Sequence, residues 1–259
     1  MLEVKRIILL LSFILLFLVG TLPALIEFTE SVTGGTLENT WNYLGGAGSS
    51  YDDNPVPIAD ASMPAPTPEG DGWGMQFYDA NNSYFGIAAT YSGNTADDQW
   101  IDLTITGYVY AYATAQNGAN QQVGFFYRAD ETVIGSYGRV LLNLPDTANG
   151  EIKVQTFTGG WDTQYIDIDN SLATTGWHQL KIVIGGVDHN EVTVYYDDMV
   201  TPKGTITNIA LGPGQALANG GPIGCMILHY AAAPPTPAYF DGIIVETLTP
   251  AMSTVWSLY

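Results

Sequence analysis

Residues 100–113 read WIDLTITGYVYAYA, and this stretch has the clearest structural pattern in the chain. Ile101, Leu103 and Ile105 alternate with polar residues, and small apolar residues then alternate with tyrosines up to residue 113. Because successive side chains of a strand point to opposite faces, this alternation predicts a long strand with one buried and one wet face. The stretch therefore favours a β-sheet protein.

Segments of the same kind fill the chain from Trp73 to Val245. They number about a dozen, and turns rich in Asn, Asp, Gly and Pro separate nearly every pair. Helical periodicity is absent beyond the first 24 residues. Short strands at this spacing are typical of an all-β sandwich.

Three of these segments resemble the concanavalin A-like (laminin-G-like) jelly roll: QVGFFYRAD at 122–130, GWHQLKIVI at 176–184 followed by VTVYYDD, and YFDGIIV at 239–245. The resemblance covers residues 73–246. It implies two curved antiparallel sheets, with Trp177 and Leu180 facing the core and His178 facing outward. The family includes lectins, glycan hydrolases, glycan-binding modules and adhesion domains, so the fold does not fix the function.

The first 24 residues have the pattern of a secretory signal peptide. Lys5 and Arg6 precede an apolar run over residues 7–20, and we expect cleavage after Ala24. The alternative is an uncleaved anchor, but the run is short for a membrane span. We expect one sandwich domain over residues 25–248, with a Pro/Gly-rich loop at 45–72 and a tail at 249–259, in a secreted or cell-surface protein.

The charge of the chain excludes one class of partner. Its formal net charge is −19, with 7 basic and 26 acidic residues, whereas nucleic-acid binding needs a positive face. Association with a membrane is not expected once the signal peptide is cleaved. The acidity is explained either by solvation in a saline exterior or by Ca²⁺ binding. The only cysteine, Cys225, excludes an internal disulfide.

The tyrosine stripe is the main candidate binding site. Strand parity places Tyr108, Tyr110 and Tyr112 on one face with Asp102 and Thr104. Rings of this kind cover the apolar side of a sugar while polar groups bond its hydroxyls, so we predict carbohydrate binding here. The alternative is that this face packs under a loop such as residues 45–72. A bulge at Gly107 would instead turn the tyrosines into the core.

The catalytic motif of the family is not intact. The resemblance implies a strand of the form Glu-x-Asp-x-x-Glu in glucanases, and the nearest match, QYIDID at 164–169, has Tyr165 where the first Glu would stand. This argues against that catalytic mechanism. Asp167 and Asp169 share a face and are interpreted as solvated residues or as Ca²⁺ ligands.

We therefore expect a non-catalytic carbohydrate-binding or adhesion module whose partner is a polysaccharide or surface glycan, with Ca²⁺ as the candidate cofactor. The first alternative is a secreted glycan-active enzyme, a hydrolase or lyase that uses Asp167, Asp169 or a tyrosine. The second is a structural protein of a surface layer or matrix.

Overall fold

The structure is a computed structural model, and the part of the chain that it describes consists of residues 25–30, 32–38, 41–43, 55–77, 85–90, 102–114, 121–128, 136–144, 150–158, 160–169, 171–186, 188–210, 223–229 and 237–247. The expected signal peptide and C-terminal tail lie outside these residues, as does the first part of the Pro/Gly-rich loop. No helix in the described ranges is long and apolar enough to cross a membrane.

The described residues form seventeen strands and one short 3₁₀ turn at Asp60–Ser62. The strands are β1 (Leu25–Glu30), β2 (Val32–Thr33), β3 (Thr36–Leu37), β4 (Trp41–Tyr43), β5 (Val56–Ala59), β6 (Trp73–Phe77), β7 (Phe85–Thr90), β8 (Leu103–Ala111), β9 (Gln121–Tyr127), β10 (Ser136–Asn143), β11 (Glu151–Thr158), β12 (Trp161–Asp167), β13 (Gly176–Gly185), β14 (Glu191–Tyr196), β15 (Gly204–Ile206), β16 (Gly224–His229) and β17 (Ala238–Thr247).

Two large sheets make up the fold. An eight-stranded sheet has the order β15-β14-β13-β8-β17-β6-β5, with β1 added to β17. A seven-stranded sheet has the order β12-β11-β10-β9-β16-β7-β4, and β2 pairs with β3 separately. The described pairs are antiparallel, which confirms the all-β sandwich that the alternation predicts.

The core lies between the two large sheets and follows the predicted period of two. On β8, Leu103, Ile105 and Val109 are fully buried in one apolar cluster, to which every strand near the middle of either sheet contributes. Cys225 of β16 lies in the same cluster. Burial raises the pKa of its thiol well above the ordinary value.

Gly107 keeps β8 regular while the two sheets approach closely. A Cβ at this position would lie 2.9 Å from the ring of Phe125, which reaches across from the seven-stranded sheet. The pairing of β8 with β13 runs through Gly107 without a register shift. The tyrosines therefore stay on the face turned away from the core.

Strand β13 departs from what the family resemblance implies. Leu180 is buried in the core as expected, but Trp177 has the opposite parity and lies half-buried on the other face. His178 is buried rather than outward. Its Nε2 donates to the carbonyl oxygen of Thr174 at 2.7 Å, and its Nδ1 lies 2.9 Å from Oδ2 of Asp197. The outward expectation for His178 was wrong because His178 has the same parity as Leu180 and lies on the core face, where its ring stacks on that of Tyr196 at a centroid distance of 4.9 Å.

Candidate functional site

The tyrosine stripe forms part of an aromatic cluster on the eight-stranded sheet. Tyr110, with 6% of its surface exposed, makes edge-to-face contacts with Tyr112, Trp177 and Tyr239 at ring-centroid distances of 5.2, 5.6 and 6.1 Å. Tyr108 and Tyr112 are half-buried. Burial, with smaller contributions from neighbouring tyrosines, raises the pKa of Tyr112 to about 12.

The Pro-rich loop contacts this same face. The indole Nε1 of Trp177 donates to the carbonyl oxygen of Ala65 at 3.2 Å, and the backbone N–H of Glu69 donates to Asp241 at 3.3 Å. Because Trp177 is the cross-strand partner of Tyr110, the loop lies next to the middle of the stripe. The face is therefore less open than a bare sheet.

Asp102 and Thr104 lie in different surroundings from one another. Asp102 has its carboxylate 2.9 Å from Nδ1 of His189 and 3.6 Å from the guanidinium of Arg128, which is buried. Arg128 also donates to the carbonyl oxygen of His189 at 2.7 Å. Thr104 is buried on β8. Asp102 thus forms an ion pair that joins the loop before β14 to the end of β9.

Asp167 and Asp169 are both exposed. Oδ1 of Asp169 accepts hydrogen bonds from the backbone N–H and the hydroxyl of Ser171, both at 2.9 Å, and these bonds lower its pKa. Asp167 ends strand β12. Within the described ranges, no three His, Cys, Asp or Glu side chains come close enough together to hold a metal ion.

A second polar surface lies on the seven-stranded sheet, on the face turned away from the core, here called the outer face. Cross-strand register aligns two rows of polar side chains there, on β9 to β12. The amide–acid row contains Asn143, Glu151 and Asp167, and Gln122 follows it one position beyond the last β9–β10 pair, Leu142 with Val123. The arginine row contains Arg139, Gln155 and Thr163.

Hydrogen bonds connect all three members of the arginine row and two of the three members of the amide–acid row. In the arginine row, Nε of Arg139 donates to Gln155 at 2.8 Å, and Nε2 of Gln155 donates to the hydroxyl of Thr163 at 2.8 Å. In the amide–acid row, Nδ2 of Asn143 donates to Glu151 at 2.7 Å. Lys153, which lies between the rows, has its Nζ 3.4 Å from the same Glu151 oxygen. Glu151 is directly opposite Asp167 on the neighbouring strand.

Aromatic rings border these rows at the edge strand β12. The guanidinium of Arg139 lies 4.0 Å from the ring centroid of Trp161, and Nζ of Lys153 lies 5.9 Å from that of Tyr165. The exposed fractions of Trp161 and Tyr165 are 48% and 56%. Phe157 and Tyr137 support the inner side of Trp161.

Exposure on the outer face falls from its edge to its centre. Lys153 on β11 is 7% exposed, and Gln122 on β9 is 0% exposed. Neither amide atom of Gln122 has a hydrogen-bond partner in the part of the chain that the structure describes. Beyond Gln122, Met226 and Leu228 of β16 are buried in a small apolar cluster on this face.

Asp241 is a buried carboxylate on the eight-stranded sheet, 2% exposed and opposite Tyr108. Its Oδ1 has no hydrogen-bond partner among the described residues. Burial, and then the charges of Glu69 and Asp71, raise its pKa to about 7. A β-bulge follows at Gly242, where φ is +54° and a Cβ would lie 2.6 Å from Oε1 of Glu69.

The outer face is not evident in any single segment. Residues 151–158 read EIKVQTFT, in which Glu151, Lys153 and Gln155 alternate with the apolar core residues Ile152 and Val154. This alternation is a signal that one face of β11 is polar. Only the register, however, brings these side chains beside Arg139, Asn143 and Asp167.

No protein-family model and no curated protein sequence matches the chain. Among solved structures, a β-glucanase from Bacillus licheniformis is similar at 14% identity and a TM-score of 0.51, over 85% of this chain and 97% of that chain. An alginate lyase from Aplysia kurodai is similar at 12% identity and a TM-score of 0.48, over 86% and 100% of the two chains. Domain 4 of an extracellular arabinanase from Geobacillus stearothermophilus is similar at 14% identity and a TM-score of 0.46, over 86% and 93%. The likeness to the β-glucanase shows a shared fold.

Proposed function

We propose that this chain, whose fold is the concanavalin A-like jelly roll that its sequence predicts, is a secreted or cell-surface protein that binds a polysaccharide or surface glycan through its outer face. The observation that carries the proposal is the pair of exposed rings, Trp161 and Tyr165, beside rows of hydrogen-bonded polar side chains. The predicted signal peptide supports the location.

This combination of groups suits a sugar. An exposed ring covers the apolar C–H face of a pyranose, while amides and charged groups bond its hydroxyls. Trp161 and Tyr165 are four residues apart on one strand face, so their Cα atoms are roughly 13 Å apart. Arg139 lies against the Trp161 ring and holds it in place at little entropic cost on binding.

Affinity electrophoresis tests the proposal with alginate, β-1,3-glucan, xylan and arabinan in the gel. We expect at least one polymer to retard the protein, and Trp161→Ala to weaken that retardation about tenfold. Tyr195→Ala is the matched control, because Tyr195 is a half-buried aromatic residue on the eight-stranded sheet. Tyr108→Ala reports on the tyrosine stripe, which stays a second candidate surface.

Two results would count against binding at the outer face. One is equal retardation of Trp161→Ala and Tyr195→Ala. The other is retardation by none of the polymers, and ordered self-assembly in electron micrographs would then favour a surface-layer or matrix protein.

A glycan-active enzyme is the second candidate function, and the Glu151–Asp167 pair favours it. Directly opposite residues on one sheet face have Cβ atoms roughly 4.5–5.5 Å apart. From this Cβ spacing the two side chains are able to bring their carboxyl groups to the separation of roughly 5–5.5 Å that a retaining glycosidase requires. Asn143 and Lys153 hold the Glu151 carboxylate. Release of reducing sugar or of an unsaturated product from the same polymers tests this. Activity that survives both Glu151→Gln and Asp167→Asn would exclude this pair.

Calcium assistance is part of the proposal. Ca²⁺ prefers carboxylate and carbonyl oxygens, and Asp241 offers a buried oxygen without a partner beside the Glu69 carboxylate. Asp167 and Asp169 are the ligands expected from the sequence. The melting temperature measured with calcium and with EDTA tests the proposal. The variants Asp241→Asn and Asp169→Asn distinguish a calcium site at Asp241 from one at Asp167 and Asp169. A melting temperature that calcium does not change would contradict it.

A further inference from the structure

We infer that the outer face reads the end of a glycan chain, with the terminal sugar held by Gln122, Asn143 and Glu151 and the rest of the chain leaving over Tyr165. The inference rests on the proposed glycan binding and adds the direction of the chain and the part that is recognised. It follows from how exposure and hydrogen bonding change across four neighbouring strands.

Among the described residues, the outer face is exposed on the β12 side and buried on the β9 side. Tyr165 on β12 is more than half exposed, Lys153 on β11 is nearly buried, and Gln122 on β9 is completely buried. On the far side, Met226 and Leu228 are packed in an apolar cluster. A polysaccharide bound through an interior unit extends from the site in two directions, and one of these directions would pass over β16, where these side chains lie. A chain bound through its terminal unit extends in one direction only.

The distance fits a short oligosaccharide. Three strand spacings separate β12 from β9, which is about 14 Å. The chain would cross the strands rather than follow them. It would pass Tyr165 and the Glu151–Lys153 pair before its terminal unit meets Asn143 and Gln122.

Gln122 provides an independent observation that points to a ligand. Its amide carries donors and an acceptor, is fully buried, and has no hydrogen-bond partner within the described residues. A buried amide without partners costs stability, and an apolar side chain of the same length would avoid this cost. Vicinal hydroxyls of a terminal sugar unit would satisfy both atoms of the amide. The neighbouring side chains have to shift for contact, so we expect association to be slow for a sugar ligand.

Stoichiometry distinguishes an end reader from a surface that binds along the chain. Length-fractionated alginate, β-1,3-glucan, xylan and arabinan are titrated into the full protein by calorimetry. We expect a constant number of protein molecules per polysaccharide chain while chain length rises tenfold. A number that rises in proportion to length would overturn end reading and leave glycan binding intact. Binding to none of the four polymers would overturn both.

Gln122→Met tests the amide itself, because it keeps the side-chain length and removes the polar atoms. We expect its melting temperature to rise by a few degrees and its affinity to fall at least tenfold. Gln76→Met on the eight-stranded sheet is the control and should leave binding unchanged. Wild-type affinity in Gln122→Met would refute the role of the amide. If Gln122→Met does not fold, Gln122→Glu takes its place with the same criterion for affinity.

Discussion

Replacing Asp241 by Asn should remove a pH dependence of stability that the buried carboxyl group imposes. The pKa of Asp241 is about 7 in the folded protein, against an ordinary value of 3.8. Desolvation is the largest cause, and the charges of Glu69 and Asp71 add to it. Between these two pKa values the folded chain keeps a proton that the unfolded chain has lost.

The sign and the size follow from linkage. Since the folded pKa is the higher one, the contribution of this carboxyl group is fully present below about pH 4 and is lost as the pH rises to about 7. Each pKa unit corresponds to about 1.4 kcal/mol, so a shift of roughly three units lowers the free energy of unfolding by about 4 kcal/mol. Asn cannot ionise and should not show this loss.

The assay is urea unfolding of the wild type and Asp241→Asn at pH 5, 6, 7 and 8 in EDTA. We expect the difference in unfolding free energy between the two proteins to change by about 1.4 kcal/mol per pH unit up to pH 7 and then to level off. Other titrating groups act on both proteins and cancel. Asp198→Asn, at an exposed position, is the control. A difference that stays constant over this pH range would refute the reasoning.

Three further predictions concern other parts of the fold. Calcium at pH 8 should raise the melting temperature of the wild type more than that of Asp241→Asn, because the cation neutralises the Asp241 carboxylate that has lost its proton. Equal rises in calorimetry would argue against a calcium ion at Asp241. Asp102→Ala should destabilise the protein by about 2 kcal/mol in urea unfolding, because it removes the Asp102 carboxylate from the buried Arg128, and an unchanged midpoint would contradict this. Gly138→Ala should destabilise it by about 1–3 kcal/mol, since the added methyl group overlaps the Tyr127 ring, and a wild-type melting curve would show that the ring can move aside.

The strands were predictable because local burial decides them. In β8 and β14 one face packs in the core and the other does not, so the period of two appears directly in the sequence. Strand β13 shows where this reasoning ends. Its face away from the core is covered by a loop that lies more than a hundred residues away in sequence, so Trp177 is half-buried there, whereas His178 lies on the core face with Leu180.

The outer face could not be predicted in the same way, because it depends on register. Glu151 and Asp167 are ordinary polar residues of two separate strands, and only the β11–β12 pairing places them opposite each other. Gln122 stands before the apolar run VGFFY, where nothing in the sequence marks it as buried without a partner. The tyrosine stripe was conspicuous in sequence because all of its members lie on one strand.

The rate at which the Cys225 thiol reacts with an alkylating reagent reports how often the two sheets separate. The thiol is fully buried in β16, between β9 and β7, and burial keeps it protonated. An alkylating reagent needs the thiolate and needs access to it, so modification has to wait for opening of the sandwich. With one thiol per chain, mass spectrometry of alkylated samples would time that opening without any engineered label.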